Sequence, residues 1–111
     1  MALAAGYAAI EPGADEVAAT PGRVALEFGA PWCSHCQAAQ PAIAQALQAR
    51  PDAAHLKIED GKGRPLGRAY RVKLWPTLVL LRDGEEVARV VRPRSPADLA
   101  DALARWDAAA G

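Results

Sequence analysis

The apolar positions of this chain follow two periods, and the switches between them mark its elements. Residues 23–28 alternate: Val24, Leu26 and Phe28 point one way, and Arg23, Ala25 and Glu27 the other. The run is apolar enough to be a central strand. From Cys33 to Arg50 the spacing turns helical, with Cys36, Ala39, Ile43, Ala46 and Leu47 on one stripe. Pro41 lies inside that helix, removes one backbone bond and predicts a kink. Pro51-Asp52 ends the segment. Residues 55–59 read as a strand, with Leu56 and Ile58 apolar and Lys57 pointing the opposite way. Residues 77–82 and 85–91 are two more strands, and Asp83-Gly84 between them is a hairpin signal.

Shorter elements fill the gaps. Residues 7–11 predict a short strand, and residues 14–20 a short helix stopped by Pro21-Gly22. Residues 60–65 are a turn-rich break, and residues 66–71 form a short helix. Ser95 predicts the cap of a last helix, with Pro96 at its first position and Asp98 at its positive end. Leu99, Leu103 and Trp106, at i, i+4 and i+7, face the core. The order β-α-β-α-β-α-β-β-α predicts an α/β fold. Its parallel crossovers and final antiparallel hairpin make a central mixed β-sheet flanked by helices on both faces. The 111 residues carry no repeat and no linker, so residues 1–111 are expected to form a single domain.

Composition narrows the partners. Apolar residues make up 51% of the chain, enough for a core, although alanine supplies much of it. The net charge is zero, which suggests no attraction to nucleic acid or to an anionic membrane. Charge is uneven locally: residues 57–94 hold ten Lys/Arg against five Asp/Glu. No run approaches the roughly 18 apolar residues of a membrane span. The first residues lack the basic region of a secretory signal, so a cytoplasmic location is expected.

The chemistry concentrates at Phe28-Gly29-Ala30-Pro31-Trp32-Cys33-Ser34-His35-Cys36. Both cysteines lie here, too close together to staple a large loop. They sit where the strand at 23–28 turns into the helix, with Cys33 at the helix start. Unpaired N–H groups and the positive end of the helix dipole favour thiolate there. Thiolate is the form that attacks disulfides. Cys33 is therefore the expected nucleophile, and Cys36, one turn deeper, the thiol that resolves the mixed disulfide. A zinc site using Cys33, Cys36, His35 and His55 is the alternative. Structural zinc needs four well-placed ligands, and nothing in the sequence brings His55 to the helix start.

Trp32-Cys33-x-x-Cys36, the helix proline Pro41 and the distant Trp75-Pro76-Thr77 together resemble the thioredoxin family, over residues 7–106. The resemblance implies a thioredoxin fold and a thiol–disulfide oxidoreductase acting on protein disulfides. It implies no bound cofactor, a thioredoxin-reductase-like electron donor and a monomer. It also assigns residues. Glu27, on the second face of a covered strand, stands where the family has a buried Asp that serves the second cysteine. Lys57 resembles the lysine beside that acid. Pro76 is cis in the family and packs across from the cysteines. Trp75, Pro76 and Thr77 then form the substrate groove, with the Trp75 backbone open to strand addition.

Several positions depart from the family pattern. Ser34 and His35 stand between the cysteines, where reductants mostly carry Gly-Pro. A partly positive His35 favours the Cys33 thiolate and makes the disulfide more oxidising. The expected reduction potential lies between about −270 and about −180 mV. Trp32 is expected to shield the disulfide from water. Trp75 replaces a smaller aliphatic residue, and Arg92-Pro93-Arg94 stands where the family often has a glycine. These last two departures leave open a second reading, a thioredoxin-fold binding module with little turnover. An oxidant or isomerase in an oxidising compartment is a third; it calls for a leader that the sequence does not show.

Overall fold

Eight elements carry the computed structural model, which describes residues 6–109. In chain order they are α1 (Ala14–Ala18), β1 (Arg23–Gly29), α2 (Ser34–Gln48) and β2 (Ala54–Glu59), then α3 (Pro65–Ala69), β3 (Thr77–Arg82), β4 (Glu85–Val91) and α4 (Pro96–Ala108). The strands form one four-stranded sheet in the order β2-β1-β3-β4. β1 runs parallel to β2 and antiparallel to β3, and β3 is antiparallel to β4. Every residue of β1 from Val24 onward is buried, as expected of a central strand.

The alternation of β1 sorts the core into two halves. Val24, Leu26 and Phe28 pack with Val17 of α1, Leu66 of α3, and Ile58, Val79 and Leu81 of the sheet. On the other face Ala25 meets Ala39, Ala42, Ile43 and Leu47 of α2 and Leu99 and Trp106 of α4. Helices therefore cover both faces. Trp106 is fully buried, and its indole N–H donates to the Leu81 carbonyl at 2.8 Å.

One crossover runs differently from the expected parallel pattern. Only β1 to β2 is parallel; β3 returns antiparallel to β1. The only helix between β2 and β3 is the five-residue α3, about 7.5 Å long, which does not itself span a six-residue strand of about 20 Å. β3 starts at the end where β1 and β2 finish, pairing Thr77 with Phe28. This places the Trp75-Pro76 peptide, just before β3, beside the start of α2.

The predicted strand at residues 7–11 does not form. Ala8 donates one backbone bond to the Lys57 carbonyl at 2.9 Å, Ile10 is 87% exposed, and the segment stays irregular up to Pro12. One ladder bond does not make a fifth strand, and the proline that follows has no N–H to extend it. α2 continues through Pro41. The Asp83-Gly84 turn forms with positive φ at both residues, 50° and 85°. Ser95 takes the cap position of α4, but its hydroxyl makes no capping bond; Asp98 reaches back instead to the Arg94 N–H at 2.8 Å.

Candidate active site

β1 ends in Gly29, and the chain turns through Ala30-Pro31-Trp32 into α2. Cys33 is the N-cap of that helix, with extended backbone, and its Sγ accepts the Cys36 N–H at 3.2 Å. The Cys36 N–H and the positive end of the helix dipole both point at this sulfur. Both thiols are free and buried; Cys33 is 7% exposed and Cys36 2%. Burial pushes the Cys36 thiol up to about 11, its hydrogen bond with Cys33 adds to the rise, and a backbone bond from Ala30 opposes it. The two sulfurs thus differ: the outer one caps a helix N-terminus, and the inner one holds its proton to high pH.

Cys36 fits because position 29 has no side chain. A Cβ there would lie 2.6 Å from the Cys36 Sγ and 3.1 Å from the Tyr7 hydroxyl. Tyr7 lies against the site: its hydroxyl and the Cys36 sulfur both flank Gly29, and the Lys57 ammonium lies 4.8 Å from its ring centroid. Burial raises its phenol well above the usual range, and negative charge on Cys36 and Glu27 adds to the effect.

Glu27 is completely buried, on the α2 face of β1. Its two oxygens are both engaged. Oε1 lies 2.8 Å from His55 Nε2, and Oε2 accepts from Gln40 Nε2 at 2.7 Å. The parallel register sets Glu27 opposite Lys57 and Ala25 opposite His55, so the histidine and the lysine share the Glu27 face. Lys57 does not touch Glu27 directly; its Nζ donates to Gln40 Oε1 at 3.3 Å. Gln40 links the network to the redox pair by donating to the Cys36 carbonyl at 2.9 Å. A cavity of about 220 Å³, lined by Tyr7, Ala30, Cys36, Gln40 and Lys57 among others, opens beside the inner cysteine.

Across the site the Trp75–Pro76 bond is cis. The Trp75 ring packs against Ala30, Cys33 and Cys36, its indole N–H donates to Asp60 Oδ2 at 2.8 Å, and it meets Trp32 edge-on at 5.4 Å. Trp32 is 72% exposed, so its outer face remains in water. Thr77 corrects the groove assignment. It is 1% exposed and spends its hydroxyl on the Leu74 carbonyl at 2.7 Å, holding the turn rather than facing outward. The Trp75 carbonyl, expected to be open to a substrate strand, already accepts Arg92 Nε at 2.8 Å. Ser34 and His35 are exposed on the first turn of α2, beside Arg92 and Arg94.

The zinc alternative loses a ligand here, because His55 is turned to Glu27. Among the described residues no group of three or more His, Cys, Asp or Glu side chains could hold a metal. Reasoning from the sequence also missed Tyr7 and Gln40 as site residues. Gln40 had a signal: it lies one turn beyond Cys36 on α2. Tyr7 had none.

The thioredoxin family model matches residues 13–105. The chain is 37% identical over 68 residues to thioredoxin H2-1 of Oryza sativa subsp. japonica, covering 61% of this chain and 49% of that protein. Over 64 residues it is 42% identical to protein disulfide isomerase-like 1-4 of Arabidopsis thaliana, covering 56% of this chain and 11% of that one. The match to the rice protein thus spans about half of that relative's length. Among solved structures, reduced thioredoxin 2 from Pseudomonas aeruginosa PAO1 superposes with a TM-score of 0.78 at 55% identity, covering 87% of this chain and 90% of that one. With the cysteine pair capping α2 and the family model matched across nearly all the described elements, the chain belongs to the thioredoxin family.

Proposed function

We propose that this protein is a thiol–disulfide oxidoreductase that exchanges the Cys33–Cys36 dithiol with protein disulfides. The observation that carries the reading is the asymmetry of the pair. Cys33 Sγ sits at a helix N-terminus and accepts an N–H bond, while burial keeps the Cys36 thiol protonated well above neutral pH.

The Cys33 thiolate attacks one sulfur of a substrate disulfide. A mixed disulfide forms, and the other substrate sulfur leaves as a thiolate that takes a proton. Cys36 then gives up its proton and attacks the Cys33 sulfur. The second substrate thiol leaves, and the Cys33–Cys36 disulfide remains. Two electrons pass to the substrate, and an external dithiol or reductase restores the pair.

The second step needs a base, because the Cys36 proton is firmly held. Glu27 is that base in this reading. It is the buried carboxyl of the site, and Gln40 joins it to the Cys36 backbone. The cavity beside Cys36, to which Tyr7, Gln40 and Lys57 contribute, has room for water to pass the proton across. His55 fixes the carboxylate, and Lys57 holds Gln40 from the far side. His35 and Ser34 tune the outer sulfur, Trp32 and Trp75 wall it, and cis-Pro76 sets the facing loop. The same reading has the chain act as a monomer in the cytoplasm, where reductants return the pair to the dithiol. No helix among the described residues is long and apolar enough to cross a membrane.

Reduction of a protein disulfide, with a dithiol as electron donor, tests the proposal. Steady turnover is expected and should vanish in Cys33→Ser. Cys36→Ser should accumulate a mixed disulfide through Cys33. Absence of turnover, together with partner complexes that survive Cys33→Ser, would assign the fold to binding instead.

A further inference from the structure

The residue after β4 has an unusual backbone. Arg92 has φ 53°, in the left-handed region that side chains seldom enter. Among the described residues two other non-glycine positions share that sign: Arg71 lies just past the end of α3, and Asp83 in the hairpin turn, both usual places for it. Arg92 merely leaves a strand. The conformation nevertheless does something specific. The Arg92 N–H donates to the Pro76 carbonyl at 2.8 Å, and its Nε donates to the Trp75 carbonyl at 2.8 Å. Main chain and side chain together fasten this guanidinium to the rim of the redox site.

A cleft of about 390 Å³ opens there, lined by Ser34, His35, Ala38, Arg92, Pro93 and Arg94. It starts at the residue after Cys33. Its charges are cationic and not neutralised: among the described residues neither Arg92 nor Arg94 has an ion pair, whereas Arg23, Arg50 and Arg89 each do. Asp98, the acid nearest in sequence, spends Oδ2 on the Arg94 N–H. The first turn of α2 adds its positive dipole end.

We propose that this cleft selects substrate disulfides flanked by Asp or Glu. Guanidinium groups match carboxylates in charge and in fork geometry, and they repel lysine and arginine. The Arg92 bond also occupies the Trp75 carbonyl, one acceptor on which a neutral extended segment would rely. Side-chain charge takes over that part of recognition. The inference rests on the oxidoreductase reading and names its substrate class.

Three peptide pairs, each joined by one disulfide and differing only in Glu, Gln or Lys beside one cysteine, test it with the full chain and a dithiol donor. The expected order in kcat/KM is Glu over Gln over Lys, each step roughly three- to tenfold at low salt, narrowing at high salt. R92Q should bring the Glu-to-Gln ratio toward one. R94E should reverse the Glu-to-Lys order; Arg94 is exposed, so this change leaves folding intact. The ratio is the readout, so a general loss of rate does not obscure it. Equal rates on the three peptides, or an order unmoved by R94E, overturns the charge selection and leaves the oxidoreductase standing. No turnover on any of them removes the reading beneath it.

Discussion

His55 Nε2 stands 2.8 Å from Glu27 Oε1, and neither residue reaches solvent to any extent, at 6% and 0% exposure. The pair bridges β1 and β2 diagonally on the face that α2 covers. A carboxyl taken wholly out of water is costly unless its oxygens are bonded, and here both are. The histidine therefore does for Glu27 what solvent does for a surface acid.

His55→Leu removes that partner and leaves Gln40 on the other oxygen. The expected loss of stability is about 3 kcal/mol, in the range for stripping one partner from a buried polar group or charge pair. Replacing Glu27 as well, with Leu at both positions, should recover much of the loss, because the stranded carboxyl goes with it. Urea unfolding of the single and double variants measures both effects. A loss below about 1 kcal/mol in His55→Leu would mean the pair contributes little.

On the proposed reading, Glu27→Gln keeps the shape and removes the base. Formation of the mixed disulfide at Cys33 should be nearly unchanged, whereas its resolution by Cys36 near neutral pH should slow about tenfold to a hundredfold. The deficit should shrink as pH rises toward the Cys36 value of about 11, where hydroxide takes the proton unaided. Stopped-flow release of the second thiol separates the two steps. A resolution rate unchanged from pH 6 to 9 would make Glu27 a structural residue.

What could be read from the sequence was local in origin. Cys33 and Cys36 are one helical turn apart, Asp83-Gly84 turns a hairpin by its own backbone preferences, and Pro96 suits a helix start; none needs knowledge of distant residues. The alternation of Val24, Leu26 and Phe28 against Ala25 and Glu27 likewise predicted both faces of β1. Register was not legible. His55 lies 28 residues from Glu27, and only the parallel alignment of β1 with β2 brings the two together. The direction of β3 was not legible either: it depends on the end of the sheet to which residues 60–76 deliver the chain. The pattern puts Tyr7 in a strand, yet its phenol lies beside Cys36 through contacts that no local pattern encodes.

Gly29→Ala tests how tightly the inner sulfur is held. The added Cβ would lie 2.6 Å from the Cys36 Sγ, so the cysteine or the strand must move. Overpacking of this kind costs about 1–3 kcal/mol. Because the displaced atom is the sulfur assigned to resolution in the proposed reading, the mixed disulfide should also persist longer than in the unmodified protein. Thermal or urea unfolding reads the first effect, and trapping with a peptide disulfide reads the second. Stability within about 0.5 kcal/mol of the parent would show that Cys36 swings aside freely.

The raised Cys36 value has a consequence for folding at alkaline pH. In the folded, reduced protein this thiol keeps its proton to about 11, whereas an unfolded cysteine releases it near about 8.5. Between those values the unfolded state binds fewer protons than the folded one. Stability must then fall as pH rises, by at most about 1.4 kcal/mol per pH unit from this group. Below about 8.5 both states hold the proton and the group contributes no slope. Tyr7, raised in the same direction by burial, extends the decline above about pH 10. Lysines and arginines titrate too, so the informative quantity is a difference between proteins. Unfolding free energies of the reduced parent and of Cys36→Ser, measured at pH 7, 9 and 10, should diverge progressively, with the parent losing more. Parallel curves would show that Cys36 ionises alike in the two states, and the protonated inner thiol on which the need for a base at Glu27 depends would be gone.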